Sequence, residues 1–241
     1  MIKKVTDNID LSGVSSPLLP LIYCDFHFNS GDAEGVYLQY NEVDELTAVF
    51  SLKNGCVTFS KVRDADFSEA LMFFSFLGVS DILSDCPLNG DFKAFSLLEA
   101  TTRSEKTCDV GTLSEKSKLS EYQNIYKLLN EEVGNFSNWY GNFSRKINSG
   151  NALGVYKAIE NSVVSTATAT AIYNKNAVIS GVFTNPLYRG KGYATECVKA
   201  LINLLHKKNV KNIYLWCEDD KIPFYEKTGF NVKGKIYLRK V

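Results

Sequence analysis

The stretch VISGVFTNPLYRGKGYATECVKALI, residues 178–202, holds three patterns in a row. A β-rich run leads into a loop with Gly190, Gly192, Arg189 and Lys191, and the loop leads into a helical pattern. Ala194, Val198, Leu201, Ile202 and Leu205 fall on one apolar stripe of that helix. The first turn of a helix has N–H groups without intrahelical partners, and the helix dipole adds positive potential there. An anion fits at such an end. The two glycines remove side chains that would block close backbone approach, and Arg189 and Lys191 add full charges suited to phosphate oxygens.

Two nucleotide motifs fail on this loop. Walker A needs Ser or Thr after Gly190-Lys191 and a glycine five positions before Gly190, where Gly192 and Asn185 stand. The dinucleotide fingerprint is met by Gly190 and Gly192, but Thr195 takes its third glycine position. The next β-rich run does end in an acid, Glu218, yet only 23 residues follow it, too few for a second mononucleotide-binding half.

A third pattern is met in full. Residues 189–194, RGKGYA, fit [RQ]-x-x-G-x-[GA], and one helix and one strand later comes IYLWCEDDKIPFYEKTGF, residues 213–230. In this order the two segments resemble the acetyl-CoA motif and the final segment of the GNAT N-acyltransferase superfamily, over residues 107–241. The resemblance implies an α/β fold on a mixed sheet and an N-acetyltransferase using acetyl-CoA as co-substrate, with no metal. The backbone of Arg189, Gly190, Lys191, Gly192, Tyr193 and Ala194, reaching Thr195, would hold the pyrophosphate. Val182, Phe183 and Thr184 would pair with the pantetheine arm, and one N–H there would polarise the thioester carbonyl. Tyr225 would donate a proton to the departing thiolate; its other reading is a core aromatic beside Phe224 and Phe230.

The segment departs from the family pattern at two places. Glu218 stands where many members have Asn, and Lys221 where they have Ala. Glu218 is either a proton acceptor for the incoming amine, directly or through water, or a solvated acid in the run Glu218-Asp219-Asp220. Glu160, at another strand end, is a further candidate base. Glu196 reads as structural, an acid favoured near a helix N-terminus. Cys197 falls inside the helix, so direct attack by a primary amine in a ternary complex is favoured over a cysteine-linked intermediate. The alternative to an enzyme is a non-catalytic CoA-binding or sensor protein. The acceptor, a small-molecule or peptide amine, is not specified, and no feature marks an oligomeric state.

Bulk properties exclude other classes. Lys plus Arg and Asp plus Glu both number 27, so no basic excess points to nucleic acid. No apolar run reaches membrane-spanning length, and the N-terminal residues lack a continuous apolar signal core, so a cytoplasmic location is expected. The six cysteines (Cys24, Cys56, Cys86, Cys108, Cys197, Cys217) form no C-x-x-C pair, which argues against disulfides and zinc. His206 reads as a cation near a helix C-terminus.

Residues 1–104 read as a separate α/β domain and 105–241 as the acyltransferase-like domain. Asn54-Gly55 marks a hairpin, and a helix opened by Asp64 or Asp66 runs to Gly78. Residues 46–83 repeat the hairpin, strand, helix, strand order of the C-terminal half, as a degenerate internal repeat or by chance. Their strand-to-helix connection, SKVRDADFSEA, has no glycine and hence no phosphate loop of that kind. Tyr37, Tyr40, Phe73 and Phe74 either shape an acceptor pocket or form core. VSTATATAIY, residues 164–173 with its alternating Thr and Ala, reads as a strand with one close-packed face, followed by a turn at 174–176; another turn is expected at Asn161-Ser162.

Overall fold

A computed structural model describes residues 1–6, 10–11, 13–28, 34–101, 109–129 and 134–240. The expected domain boundary near residue 104, Cys108 and the helical Val133 lie outside the described residues. The elements of the first part are β1 (Ile2–Lys4), α1 (Leu19–Phe28), β2 (Gly35–Tyr40), β3 (Leu46–Lys53), β4 (Cys56–Lys61), α2 (Phe67–Phe76), β5 (Asp81–Ser84) and β6 (Lys93–Ala100). Then come β7 (Gly111–Leu113), α3 (Leu119–Leu129), α4 (Phe136–Asn148), β8 (Leu153–Ile159), β9 (Ser162–Tyr173) and β10 (Asn176–Thr184). The chain closes with α5 (Tyr193–Lys207), β11 (Asn212–Cys217), α6 (Ile222–Glu226) and β12 (Asn231–Lys240).

These elements gather into two compact units. The first holds Met1–Leu97, Trp216–Asp219 and the residues from Lys233 on; the second holds Leu98–Leu215 and Asp220–Val232. In the first unit β1, β2, β3 and β4 pair antiparallel in that order, and β4 pairs parallel with β5 across α2. The last strand of the chain, β12, lies antiparallel on β5, with Tyr237 opposite Ser84. In the second unit β7, β8, β9 and β10 pair antiparallel, and β10 pairs parallel with β11 across α5. Both units thus share an antiparallel run closed by a helical crossover to a parallel strand, the order expected from residues 46–83.

Local chemistry explains the first unit. Asn54 and Gly55 both have positive φ, 49° and 73°, the conformation a two-residue hairpin turn needs between β3 and β4. Of the two candidate caps, Asp66 opens α2, its Oδ1 accepting from the N–H groups of Ser68 (2.9 Å) and Glu69 (3.0 Å). Phe50, Phe59 and Phe74 are buried, with Phe74 edge-on to the other two at 5.1 and 6.0 Å. Tyr37 and Phe73 join this cluster, at 5.3 Å from each other, so these aromatics are core of the first unit. Tyr40 lies outside it, with Lys3 Nζ 4.9 Å from its ring centre.

The second unit corrects two expectations. Both faces of β9 are packed: Ala167, Ala169 and Ala171 are fully buried, and so are Thr166 and Thr168. Helices cover both sides, since Cys197 of α5 meets Ser165 while Leu129 of α3 reaches the Thr168 side. The threonine face tolerates burial because its hydroxyls are paired, Thr166 Oγ1 donating to Val155 O (2.9 Å) and Thr168 Oγ1 to Ser180 O (2.8 Å). The β8–β9 turn is Glu160-Asn161, with φ of 48° and 65°, one residue earlier than expected. His206 lies in the last turn of α5, as expected, and is buried, its Nδ1 2.9 Å from Val210 O just beyond the helix.

Candidate functional site

The site begins with a break in β10. Its register with β9 shifts once between Val178↔Ala171 and Ile179↔Ala169 and again between Ser180↔Thr168 and Phe183↔Thr166, where Gly181 and Val182 form a bulge. Gly181 has φ of 59°, and a Cβ there would lie 2.7 Å from Thr168 Oγ1. On its other side β10 pairs with β11 from Asn176↔Asn212 to Val178↔Tyr214 only, although β10 runs on to Thr184. Among the described residues the ladder stops there, which leaves the later part of that edge open for an extended ligand.

Beyond Thr184 the chain turns sharply. Asn185 Oδ1 accepts from Leu187 N–H (3.0 Å) and starts a single 3₁₀ turn over Pro186–Tyr188. Gly190 and Gly192 follow with φ of 78° and 84°. A Cβ on either would meet no atom within 4 Å, so backbone conformation demands glycine here and the space above the loop is open. Gly192 is the N-cap of α5, and no side chain caps this helix. The N–H groups of its first turn therefore keep their capacity for an anion.

A cleft of about 370 Å³ opens over this helix end. Of the residues expected to bind, Thr184, Arg189, Gly190, Gly192, Tyr193, Ala194 and Thr195 line it; Val182, Phe183 and Lys191 do not. Tyr188, Phe224 and Lys227 complete the lining and were not foreseen. Phe224 precedes Tyr225 on the short α6 and Lys227 caps the C-terminus of that helix, and their nearness in sequence to the tyrosine is the available signal. Among the described residues the lining includes two cations, Arg189 and Lys227, and no carboxylate. Arg189 Nε donates to Thr184 O (3.3 Å), and its guanidinium lies 5.9 Å from the Phe183 ring centre. Lys191 Nζ sits 5.2 Å from the Tyr188 ring centre.

Glu196, in the first turn of α5, is 3.3 Å from Lys157 Nζ, which also reaches Asp109 at 3.3 Å. Cys197 is fully buried, and burial pushes its thiol up to about 11, so it is neutral and inert at ordinary pH. Half-buried Tyr225 packs edge-on against Phe224 (4.9 Å) and Phe230 (5.9 Å). Phe224 thus links the Tyr225 ring to the cleft wall.

The acidic run is ion-paired rather than simply solvated. In the first unit, exposed Glu218 lies 2.5 Å from Lys93 Nζ. Asp219 accepts from Ser96 Oγ (2.6 Å) and Lys235 Nζ (3.2 Å), and these bonds hold its carboxyl below the usual range. In the second unit, Asp220 pairs with Lys221. Glu160 is exposed at the hairpin turn. Among the described residues no three His, Cys, Asp or Glu side chains gather as metal ligands, and no helix is long and apolar enough to cross a membrane.

A bulged strand paired with its parallel neighbour over three residues, beside an uncapped helix behind a glycine loop, gives an α/β unit with an open cleft at one helix end. Residues 119–230 match the model of the acetyltransferase (GNAT) family, and these residues form a GNAT domain. The chain is 29% identical over 89 residues to GCN5-related N-acetyltransferase 2, chloroplastic, of Arabidopsis thaliana, a match spanning 35% of this chain and 34% of that one. The chain therefore covers about a third of this curated relative. A GCN5-related N-acetyltransferase from Sphaerobacter thermophilus has a similar fold, with TM-score 0.62 at 12% identity over 90% of this chain and 83% of that one. A tandem GNAT protein from the clavulanic acid biosynthesis pathway gives TM-score 0.56 at 9% identity, over 88% and 84%. With such coverage, the likeness in fold extends into the N-terminal part.

Proposed function

We propose that this protein is an acetyl-CoA-dependent N-acetyltransferase acting on a primary amine. The observation that carries the reading is the uncapped start of α5, set behind Gly190 and Gly192 in a cleft with two cations and no acid. A diphosphate is matched by free N–H donors, a helix dipole and full positive charges. The open edge of β10 beyond Val178 suits an extended pantetheine arm, with an N–H of Val182, Phe183 or Thr184 aimed at the thioester oxygen.

The amine nitrogen attacks the thioester carbon, the C–S bond breaks, and the thiolate takes the phenol proton of Tyr225. Solvent then restores that proton. The amine must lose its own proton, to Glu218 or through water. Glu218 is already engaged by Lys93 Nζ at 2.5 Å, which favours the water-mediated route.

Release of CoA thiol from acetyl-CoA with a panel of amines tests the reading. Turnover on at least one amine is expected, and Tyr225→Phe should lower kcat about 10- to 100-fold with acetyl-CoA affinity within about twofold. Unchanged kcat in that variant would remove Tyr225 from the acid role. Acetyl-CoA binding without turnover on any amine would favour a CoA-binding sensor.

A further inference from the structure

A second cleft, of about 460 Å³, opens beside the same strand end. It is lined by Phe183, Asn185 and Pro186 after the bulge, by Asn124, Lys127 and Leu128 of α3, and by Asn161, Ser162 and Val163 at the β8–β9 turn. Successive strand residues project to opposite faces. Thr184 lines the cleft over α5, whereas Phe183 lines this one. Arg189, which lines the first cleft, has its guanidinium 5.9 Å from the ring centre of Phe183, which lines the second. Direct transfer needs donor and acceptor to reach one carbon from different sides, and the two clefts meet that need at the end of β10.

The lining chemistry selects the acceptor. Lys127 is exposed and makes no ion pair among the described residues. Asn124, Asn161 and Ser162 add amide and hydroxyl groups. Asn185 already spends its Oδ1 on Leu187 N–H, so toward a ligand it offers N–H donors. Among the described residues the lining has no carboxylate. A second ammonium on the acceptor would meet like charge from Lys127, whereas a carboxylate would meet an ammonium and several neutral donors.

We infer that this second cleft receives the acceptor, and that the acceptor is an amine bearing a carboxylate, which Lys127 holds while the amine faces the β10 bulge. The inference rests on the acetyltransferase reading. The intact chain is assayed for CoA release with acetyl-CoA and a matched series: 5-aminovalerate, its amide and 1,5-diaminopentane, then phenylalanine, its amide and phenethylamine. The carboxylate members should show kcat/KM about tenfold or more above their partners, in line with a charge-assisted contact. Lys127→Met should cut that value about fivefold or more for the carboxylates and leave the amides and the KM for acetyl-CoA within about twofold. Equal or better use of the diamine, or a preference that survives in Lys127→Met, overturns the inference while the acetyltransferase reading stands. Turnover of no carboxylate member overturns it too, and calorimetry with acetyl-CoA then shows whether the donor reading falls with it.

Discussion

Helices α2 and α5 stand at matching places in the two units, each crossing from an antiparallel run to a parallel strand, yet their N-termini are finished in opposite ways. At α2, Asp66 gives its carboxylate to the N–H groups of Ser68 and Glu69. At α5 the cap is Gly192 in the left-handed region, with no side-chain bond to the helix. The first arrangement satisfies the helix end internally; the second leaves donors and positive potential for a ligand. The surroundings follow suit. The cleft near α2 is lined by Glu42, Asp44, Asp64, Asp66 and Glu69, whereas that over α5 is lined by Arg189 and Lys227 without an acid. One topology thus gives an internally capped helix in one unit and an uncapped helix start in the other.

Giving α5 the cap of α2 is the strongest way to break this contrast. Gly192→Asp places a carboxylate where the diphosphate should sit, and Asp tolerates positive φ better than most residues. Acetyl-CoA affinity should fall about 100-fold, the scale of losing charge-assisted bonds and adding like charge, with the melting temperature maintained. Titration calorimetry and thermal unfolding on the same preparation separate these effects.

A smaller change should come from Lys157. Its ammonium pairs with Glu196, one residue past the cleft-lining Thr195, and without it an uncompensated negative charge would stand in the first turn of α5, near the proposed phosphate site. Lys157→Met should raise the KM for acetyl-CoA about three- to tenfold, less at high salt, since screening shortens the repulsion. Adding Glu196→Gln should restore it; failure of that rescue would assign Lys157 a purely structural role. In the other unit, Asp66→Ala should cost about 1 kcal/mol of stability by denaturant unfolding, with acetyl-CoA affinity unaltered. The smallest effect belongs to Cys197. Its thiol, pushed up to about 11, stays neutral below that pH, so Cys197→Ser should keep kcat within about twofold across pH 6–9.

Much of this contrast was legible in the sequence because it depends on local chemistry. Gly190, Gly192 and the apolar stripe of α5 announce an open helix start, and Asp66 before an apolar run announces a capped one. The Asn54-Gly55 hairpin is equally local. Other features depend on which elements meet. No periodicity in residues 231–240 says that β12 lies on β5, or that Glu218 finds Lys93 from a strand 125 positions earlier. The Thr-Ala alternation of β9 predicts one close-packed face, and only the packing of α3 and the pairing of the Thr hydroxyls make the second face core as well. The bulge at Gly181 was hidden for the same reason: its glycine answers to Thr168 on the neighbouring strand.

The central claim is that α5 carries the donor site and α2 does not. Calorimetric titration of acetyl-CoA into the wild-type chain and into Gly192→Asp tests it most directly. The account predicts one acetyl-CoA per wild-type chain and loss of that binding in the variant. Two equivalents per chain, or undiminished binding in Gly192→Asp, would contradict it.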